Sequence, residues 1–353
     1  MHKFRFLLAA YGMLLFAACQ PEAPISPNNG TYGRGVFAVN EGIFGQTSGS
    51  ISFYNPLNFS SEQAIFKKQN QRDLGDVVQS LSFINQKAYI VVNNSNKIEI
   101  ADAQTFEELD QLNSLKLPRY IKAVSSHKAY ISEWGLDGLS GQLSVLNLQN
   151  NSISKTIPVA FGPEHLFSKD QYLYISHSGG FGDNNKLSIL DTFSDQIIQT
   201  IVVGDRPGSL HEDNQNRLWF LCSGKTVYSS YPAIDTNLST ESMLLNLDAN
   251  HHLDTVLNFG KANSARYLNI NANKTQLYFY RNGQVWSYDL SNQSEQALLT
   301  ENLYGMTAHP TDNKLYLATS AGIDVAEALI YSTSGSFEGS FTTAYFTNGF
   351  VFK

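Results

Sequence analysis

The chain repeats a short unit in which a polar turn leads into an apolar stretch with an aromatic residue at its middle. Seven copies occur, at residues 35–40, 87–93, 128–134, 172–177, 217–222, 276–281 and 314–319. Their central aromatic residues are Phe37, Tyr89, Tyr130, Tyr174, Trp219, Tyr278 and Tyr316. Because aromatic side chains pack well on a pleated surface, each copy predicts a buried β-strand.

A second stretch, with alternating polar and apolar residues, follows each copy. These stretches lie at 49–54, 96–101, 141–146, 185–190, 241–246, 283–288 and 328–332, and a period of two is typical of strands. A shorter apolar stretch precedes the middle copies, for example at 77–83, 120–124, 165–167, 267–270 and 305–308. With a weaker fourth strand, each repeat makes one antiparallel blade, so residues 36–353 are predicted to form an all-β, seven-bladed β-propeller. A pair of β-sandwiches is the alternative, although sandwiches do not require such a repeat.

The two ends of the repeat array complement each other. The first repeat lacks the strand that opens the others, while residues 346–353 form a strand-like stretch without a partner. We predict that this C-terminal stretch completes blade one, because closing the ring removes an exposed sheet edge that would invite aggregation.

The N-terminal region predicts where in the cell the protein is located. Residues 1–18 combine two basic residues with an apolar run, which is typical of a secretory signal peptide and too short to span a bilayer. The run ends in two alanines before Cys19, which resembles a bacterial lipobox whose cysteine is lipidated and becomes the mature N-terminus. Residues 19–35 are rich in proline and turn formers, and we expect a flexible tether there. The prediction is an outer-membrane lipoprotein of a Gram-negative envelope, on the periplasmic or the surface-exposed face. An ordinary secretory signal with an incidental Cys19 is the alternative.

The net charge and the number of cysteines limit which partners and which thiol chemistry the protein can have. The formal charge is −7, and removing the two basic residues of the signal peptide gives −7 − 2 = −9. Binding to nucleic acid depends on Lys and Arg, so this negative charge argues against a nucleic-acid partner. We also expect the protein to be a monomer. With Cys19 lipidated, Cys222 is the remaining cysteine, and its apolar surroundings predict a buried structural thiol.

The seven repeats, the Asn-Glu-Gly at 40–42 and the block 163–208 resemble the surface-layer or YVTN-type propeller family. More narrowly, the chain resembles propeller lipoproteins of unknown function from Bacteroidota, over about residues 36–353. Some of those proteins are encoded beside TonB-dependent receptors and are thought to capture siderophores, cobalamin or related cargo. The resemblance therefore implies a siderophore-, cobalamin- or haem-like ligand, or docking on such a receptor, whereas the fold itself is a scaffold for many functions.

The candidate site lies around the channel mouth of the predicted propeller. The loops that lead into the innermost strands share one face with the loops that join second and third strands. Arginine forks recognise carboxylates, phosphates or catecholate-like oxygens, and aromatic rings stack on flat ligands or cations. The candidate ligand-binding residues are Glu41, Phe44, Arg119, Tyr120, Glu133, Trp134, Glu164, His165, His177, Arg206, Arg266, Tyr267 and Arg281. Asn93, Asn94, Phe181 and Tyr304 occupy similar loops. Such convergence is typical of a small-molecule site, although each residue could instead satisfy its own loop.

Catalytic motifs are weak. Glu164, His165 and His177 could supply three metal ligands, but a hydrogen-bonded loop pair is the more ordinary interpretation, and no metal, cofactor or catalytic residue is predicted. The sequence contains no Gly-x-Ser-x-Gly elbow, no His-Glu-x-x-His helix and no complete phosphate-binding glycine loop. The leading hypothesis is a non-catalytic envelope lipoprotein that binds a small ligand or docks on a transporter. A metal-dependent, lactonase-like hydrolase and a protein-interaction scaffold are the alternatives.

Overall fold

The structure is a computed structural model that describes residues 32–319 and 324–353, and it confirms the seven-bladed β-propeller. Blade one contains β1 (Val36–Asn40), β2 (Ser50–Asn55) and β3 (Ser60–Glu62), and the helix α1 (Ile65–Asn70) follows it. Blade two contains β4 (Val78–Ile84), β5 (Lys87–Val92), β6 (Lys97–Asp102) and β7 (Glu108–Leu112). Blade three contains β8 (Pro118–Ala123), β9 (Lys128–Glu133), β10 (Gln142–Asn147) and β11 (Ser152–Pro158). Blade four contains β12 (Pro163–Lys169), β13 (Tyr172–His177), β14 (Lys186–Asp191) and β15 (Gln196–Val202).

Blade five carries an insertion. It contains β16 (Pro207–Glu212) and β17 (Leu218–Cys222), then a small hairpin of β18 (Tyr228–Ser230) and β19 (Ala233–Ile234), then β20 (Glu241–Leu247) and β21 (Leu253–Lys261). Blade six contains β22 (Arg266–Ile270), β23 (Gln276–Arg281), β24 (Gln284–Asp289) and β25 (Ser294–Thr300). Blade seven contains β26 (Leu303–Ala308), β27 (Lys314–Thr319), β28 (Glu327–Ser332) and β29 (Phe337–Thr342), and the chain ends with β30 (Thr347–Phe352).

The innermost strands close a ring around a central channel. They contact one another in the order β30, β4, β8, β12, β16, β22 and β26, and β26 contacts β30. β30 pairs antiparallel with β1, from Val36 opposite Phe352 to Asn40 opposite Thr347. The predicted closure of blade one by the C-terminal strand is therefore confirmed, and it hides the channel-side edge of β1.

The repeated aromatic residue explains why the repeat is visible in the sequence. All seven central aromatic side chains are buried, with at most 4% of their surface exposed. In blades two to four the phenol also hydrogen bonds to the outer turn of the next blade, in the pairs Tyr89–Asn151, Tyr130–Asp195 and Tyr174–His251. Each of these tyrosines thus fills the layer between two blades and fastens one blade to the next.

The packed chain begins before the first strand. Tyr32 is 3% exposed and packs edge-on against Phe53 and Phe106, at ring-centroid distances of 5.2 and 5.6 Å. The predicted signal peptide, Cys19 and residues 19–31 of the predicted tether lie outside the described residues. Among the residues that are described, no helix is long and apolar enough to cross a bilayer.

Cys222 ends β17 and is fully buried, as predicted. Burial raises the pKa of its thiol to about 12, so the thiol stays protonated at neutral pH. It packs between blades as a small apolar group.

Candidate functional site

Every innermost strand carries a bulge close to its first residue. In each blade the register with the second strand skips one or two residues, between Val78 and Ser80, Pro118 and Ile121, Pro163 and Leu166, Pro207 and Leu210, Arg266 and Asn269, Leu303 and Gly305, and Thr347 and Gly349. A bulge leaves residues out of the ladder and re-aims their side chains. The seven bulges lie at the same end of the channel and therefore form a ring.

The skipped residues line one cavity, which we call the mouth. Its volume is about 830 Å³. The bulge residues that line it are Gln79, Arg119, Tyr120, Glu164, His165, Gly208, Ser209, Tyr267, Leu268, Tyr304 and Asn348. Glu41, Trp134, Arg206, His211 and Arg266 also line it. The mouth is thus built from all seven blades.

Proline fixes the start of the innermost strand in blades three to five. A residue of positive φ precedes the proline in the pairs Leu117–Pro118, Gly162–Pro163 and Arg206–Pro207. Proline has no N–H for a ladder and is tolerated at the first position of a strand. The backbone carbonyl of Leu117 accepts a hydrogen bond from the backbone N–H of Trp134 at 3.2 Å. This bond holds Trp134, and with it the indole ring, beside the bulge. The local sequence therefore fixes the backbone from which the mouth residues project.

On one side of the mouth, Arg119 and Glu164 form a buried ion pair between blades three and four. Arg119 Nε and Nη2 donate to Glu164 Oε1 at 3.0 and 2.7 Å. The guanidinium lies 4.0 Å from the ring centroid of Trp134, and Trp134 Nε1 donates to Glu164 Oε2 at 2.9 Å. The carboxylate also accepts a hydrogen bond from Ser178 at 3.3 Å. Both oxygens of Glu164 are therefore occupied, and the pair is rigid.

On the opposite side, a hydrogen-bonded arc crosses blades six, seven and one. Tyr267 Oη donates to the carbonyl of Tyr304 at 2.6 Å, and Tyr304 Oη donates to Glu41 Oε2 at 2.7 Å. Asn348 Nδ2 donates to Glu41 Oε1 at 2.9 Å. Burial raises the pKa of Tyr304 and the charge of Glu41 raises it further, so the phenol stays protonated and keeps donating to the carboxylate.

Two histidines complete the wall between these sides. The rings of His165 and Tyr120 are tilted against each other with centroids 4.3 Å apart. Burial lowers the pKa of His165, and it lowers the pKa of His211 to about 4. His211 Nε2 shares a hydrogen bond with Ser209 Oγ at 3.2 Å. Both imidazoles are neutral at pH 7 and can donate or accept without adding charge.

The two remaining arginines of the mouth differ in their partners. Arg206 Nε lies 2.5 Å from Asp183 Oδ1. Arg266 is exposed, and its guanidinium lies 5.1 and 5.3 Å from the ring centroids of Tyr267 and Tyr280. In the described part of the chain, no carboxylate pairs with Arg266.

Nine of the thirteen predicted ligand-binding residues line the mouth, and Phe44, Glu133, His177 and Arg281 do not. Phe44 is 70% exposed on the loop after β1. Arg281 pairs with Glu295 at 3.3 Å and lines a separate cavity of about 340 Å³ at blade six. Phe44 follows β1 and Arg281 ends β23, but neither side chain lines the mouth.

Glu133 and His177 are the last residues of β9 and β13, and both are buried. Because successive side chains of a strand face opposite sides of the sheet, a residue at a strand end can lie inside the blade and not in the mouth. Glu133 accepts the N–H of Lys116 at 2.5 Å and a hydrogen bond from the Ser144 hydroxyl, and burial raises its pKa. His177 bonds through Nδ1 to the carbonyl of Ala160 and through Nε2 to Ser188 Oγ, both at 2.9 Å. These two residues support the walls of the mouth from behind.

The trio Glu164, His165 and His177 does not assemble into a metal site, since both nitrogens of His177 are engaged elsewhere. Within residues 32–319 and 324–353, no group of three or more His, Cys, Asp or Glu is placed to hold a metal ion.

Of the further loop candidates, Tyr304 lines the mouth. Asn93 is buried and donates through Nδ2 to the carbonyl of Pro118 at 3.0 Å, while Asn94 donates to Asp76. Phe181 is 68% exposed and packs edge-on against Trp134 at the rim.

Sequence reasoning missed Gln79, Ser209, His211 and Asn348, which also line the mouth. Gln79 and Asn348 occupy the bulge position that Arg119 and Tyr304 occupy in their blades. Aligning the seven repeats on the start of the innermost strand would have found them.

Solved structures with this fold differ widely in function. A quinonprotein alcohol dehydrogenase-like protein from Bacteroides thetaiotaomicron matches with a TM-score of 0.70 and 12% identity, over 92% of this chain and 79% of that one. A periplasmic gluconolactonase from Pseudomonas aeruginosa matches with a TM-score of 0.63 and 12% identity, over 90% and 99%. Hydrazine synthase from Kuenenia stuttgartiensis matches with a TM-score of 0.60 and 16% identity, over 76% and 87%. At these identities the likeness concerns the fold, which enzymes are thus known to share.

No curated protein matches the sequence. A family model described as a domain of unknown function (DUF5074) matches residues 34–352, and the chain therefore belongs to this family.

Proposed function

We propose that this protein is a non-catalytic envelope lipoprotein that captures a small organic molecule in the mouth. The observation that supports the proposal is the ring of seven bulges, each of which aims side chains into the same cavity. Bulges are features that direct side chains, and their repetition at one end of the channel favours a binding surface.

The mouth has the character of a small-molecule site. Its volume of about 830 Å³ lies within the range of ligand cavities, which are concave, mostly apolar and supplied with a few fixed polar groups. Trp134, Tyr120 and Tyr267 provide flat surfaces, while Glu41 and Glu164 are held by hydrogen bonds from neighbouring side chains. Because these groups are already ordered, a ligand would pay little to arrange them.

Anchoring at Cys19 would attach the propeller to a membrane by the face opposite the mouth. β30 begins at Thr347, next to Asn348 in the mouth, and ends beside Gly35, whose N–H donates to the carbonyl of Lys353 at 2.9 Å. The described chain therefore begins at the face opposite the mouth. A lipid on Cys19, joined through the predicted tether, would leave the mouth accessible to a ligand or to a partner such as a TonB-dependent receptor.

A blocking substitution tests the proposal. A Cβ at Gly208 would meet only the carbonyl oxygen of Leu221 at 3.6 Å, which is ordinary contact, so Gly208→Phe should place an aromatic ring in the mouth and obstruct it without moving the backbone. Gly33→Phe is the matched control, because Gly33 lies at the opposite face and a Cβ there would meet nothing within 4 Å.

The assay is a thermal-shift screen of residues 20–353, which contain every described strand, against ferric siderophores, haem, cobalamins, calcium and zinc. A ligand that binds only the folded state raises the melting temperature. We expect a shift with an organic probe that Gly208→Phe abolishes and Gly33→Phe leaves unchanged. A shift with metal alone would favour a hydrolase, and no shift with any probe would favour a protein-interaction scaffold.

A further inference from the structure

We propose that the molecule captured in the mouth carries an anionic group, and that Arg266 binds this group. The inference rests on the proposed function and adds the chemical class of the ligand. It follows from the partners of the charged side chains that line the mouth.

Two of the three arginines of the mouth are paired with carboxylates within the protein. Arg119 is paired with Glu164 at 2.7 Å, and Arg206 is paired at 2.5 Å with Asp183, which Lys225 also contacts at 3.3 Å. A carboxylate partner compensates part of an arginine's charge and occupies some of its donors. Among the described residues, Arg266 is therefore the arginine of the mouth that has no carboxylate partner.

Arg266 is held in position without using its hydrogen-bond donors. Its guanidinium lies within 5.1 and 5.3 Å of the ring centroids of Tyr267 and Tyr280, an arrangement that attracts a cation to the aromatic faces. The Tyr267 hydroxyl is itself fixed by its bond to Tyr304. Within the described residues the guanidinium makes no ion pair and no side-chain hydrogen bond. Its planar fork is thus ready for a carboxylate or a similar oxyanion.

Arg119 offers a second point of contact. Its Nε and Nη2 donate to Glu164, whereas Nη1 makes no hydrogen bond with the described residues, and the side chain lines the mouth. Arg119 and Arg266 stand on blades three and six, on opposite sides of the mouth. A ligand whose acidic group pairs with Arg266 can therefore accept a further hydrogen bond from Arg119 across the cavity.

Glu41 places a negative charge in the mouth, opposite in sign to the charge of Arg266. Its oxygens accept hydrogen bonds from Tyr304 and Asn348, and no Lys or Arg of the described chain pairs with it. A carboxylate in this position repels a purely anionic ligand. Removing this charge should therefore strengthen the binding of an anion, while removing Arg266 should weaken it.

The experiment uses two fluorescent probes that differ only in charge. 8-Anilino-1-naphthalenesulfonate carries a sulfonate, and N-phenyl-1-naphthylamine is the same molecule without it. Titrations of residues 20–353 should show tighter binding of the sulfonate. Arg266→Ala should weaken sulfonate binding, relative to binding of the neutral probe, by about ten- to hundredfold, the range for a hydrogen bond to a charged group. Glu41→Gln should strengthen sulfonate binding.

Arg281→Ala is the matched control, because Arg281 also lies against aromatic rings, 4.4 Å from Phe259 and 4.3 Å from Trp286, but pairs with Glu295 outside the mouth. It should leave both probes unaffected. If Gly208→Phe abolishes both probes while Arg266→Ala leaves their affinity ratio unchanged, the mouth binds organic molecules without preferring anions, and this inference fails. If neither probe responds to Gly208→Phe, the proposed function fails with it.

Discussion

The ion pair between Arg119 and Glu164 gives the sharpest test of how the mouth is held together. In Glu164→Gln the amide keeps the shape of the side chain and an oxygen for the indole of Trp134, but the guanidinium loses its counter-charge. The two side chains are only 13% and 9% exposed, so water replaces the lost partner only in part. Breaking a buried pair by removing one partner typically costs about 3–5 kcal/mol, and we expect about 3 kcal/mol here.

The measurement is equilibrium unfolding of residues 20–353 in urea, followed by far-UV circular dichroism and tryptophan fluorescence. The cost should lower the midpoint without changing the slope, since the surface exposed on unfolding stays the same. A loss of about 3 kcal/mol is a large part of the 5–15 kcal/mol that is typical of folded domains. The same variant should bind 8-anilino-1-naphthalenesulfonate more tightly, because the charge of Arg119 is released into the mouth.

A second substitution decides whether charge is the cause. Arg119→Met in the otherwise unchanged protein leaves Glu164 unpaired and should destabilise it. In the Glu164→Gln background, Arg119→Met removes the uncompensated charge and should restore stability, so the two effects have opposite signs. A cost below about 1 kcal/mol for Glu164→Gln, or the same effect of Arg119→Met in both backgrounds, would refute the reasoning.

Three further predictions follow from buried groups and from ring closure. Burial lowers the pKa of His177 and His211 to about 4. Below pH 6.5 these histidines therefore bind protons in the unfolded chain but stay neutral in the folded chain. The free energy of unfolding should fall from pH 6.5 to 5 by about 1 kcal/mol per pH unit for each histidine. Urea unfolding checks this, and an unchanged slope in His211→Asn would contradict it. Cys222, with its pKa raised to about 12, should resist iodoacetamide at pH 8 in the folded protein and react fully in urea, as read by mass spectrometry. A chain ending at Phe346 loses β30 and exposes the channel-side edge of β1, so it should be insoluble or lack cooperative unfolding, and a soluble, cooperatively unfolding product would count against the closure argument.

The candidate site could be predicted in part. The positions of Arg119, Tyr120 and Glu164 could be identified because they lie at or next to the start of the short apolar stretches that precede the repeated phrase. Glu133 and His177 were assigned to the mouth although they are buried behind it. Position in a loop does not tell which way a side chain points, since successive residues of a strand face opposite sides and a bulge shifts that alternation.

The sequence by itself determined the number of blades, the strands and the closure of the ring. These features depend on local patterns of two kinds, alternation along a strand and one aromatic residue per repeat, and both are written in consecutive residues. Only the tertiary structure decided how charges pair in the mouth. Glu164 lies 45 residues after Arg119, and Tyr304 reaches Glu41 across 263 residues. Such partners meet because the ring brings neighbouring blades together. That Arg266 is the arginine of the mouth without a carboxylate partner among the described residues can be seen only from these tertiary pairings.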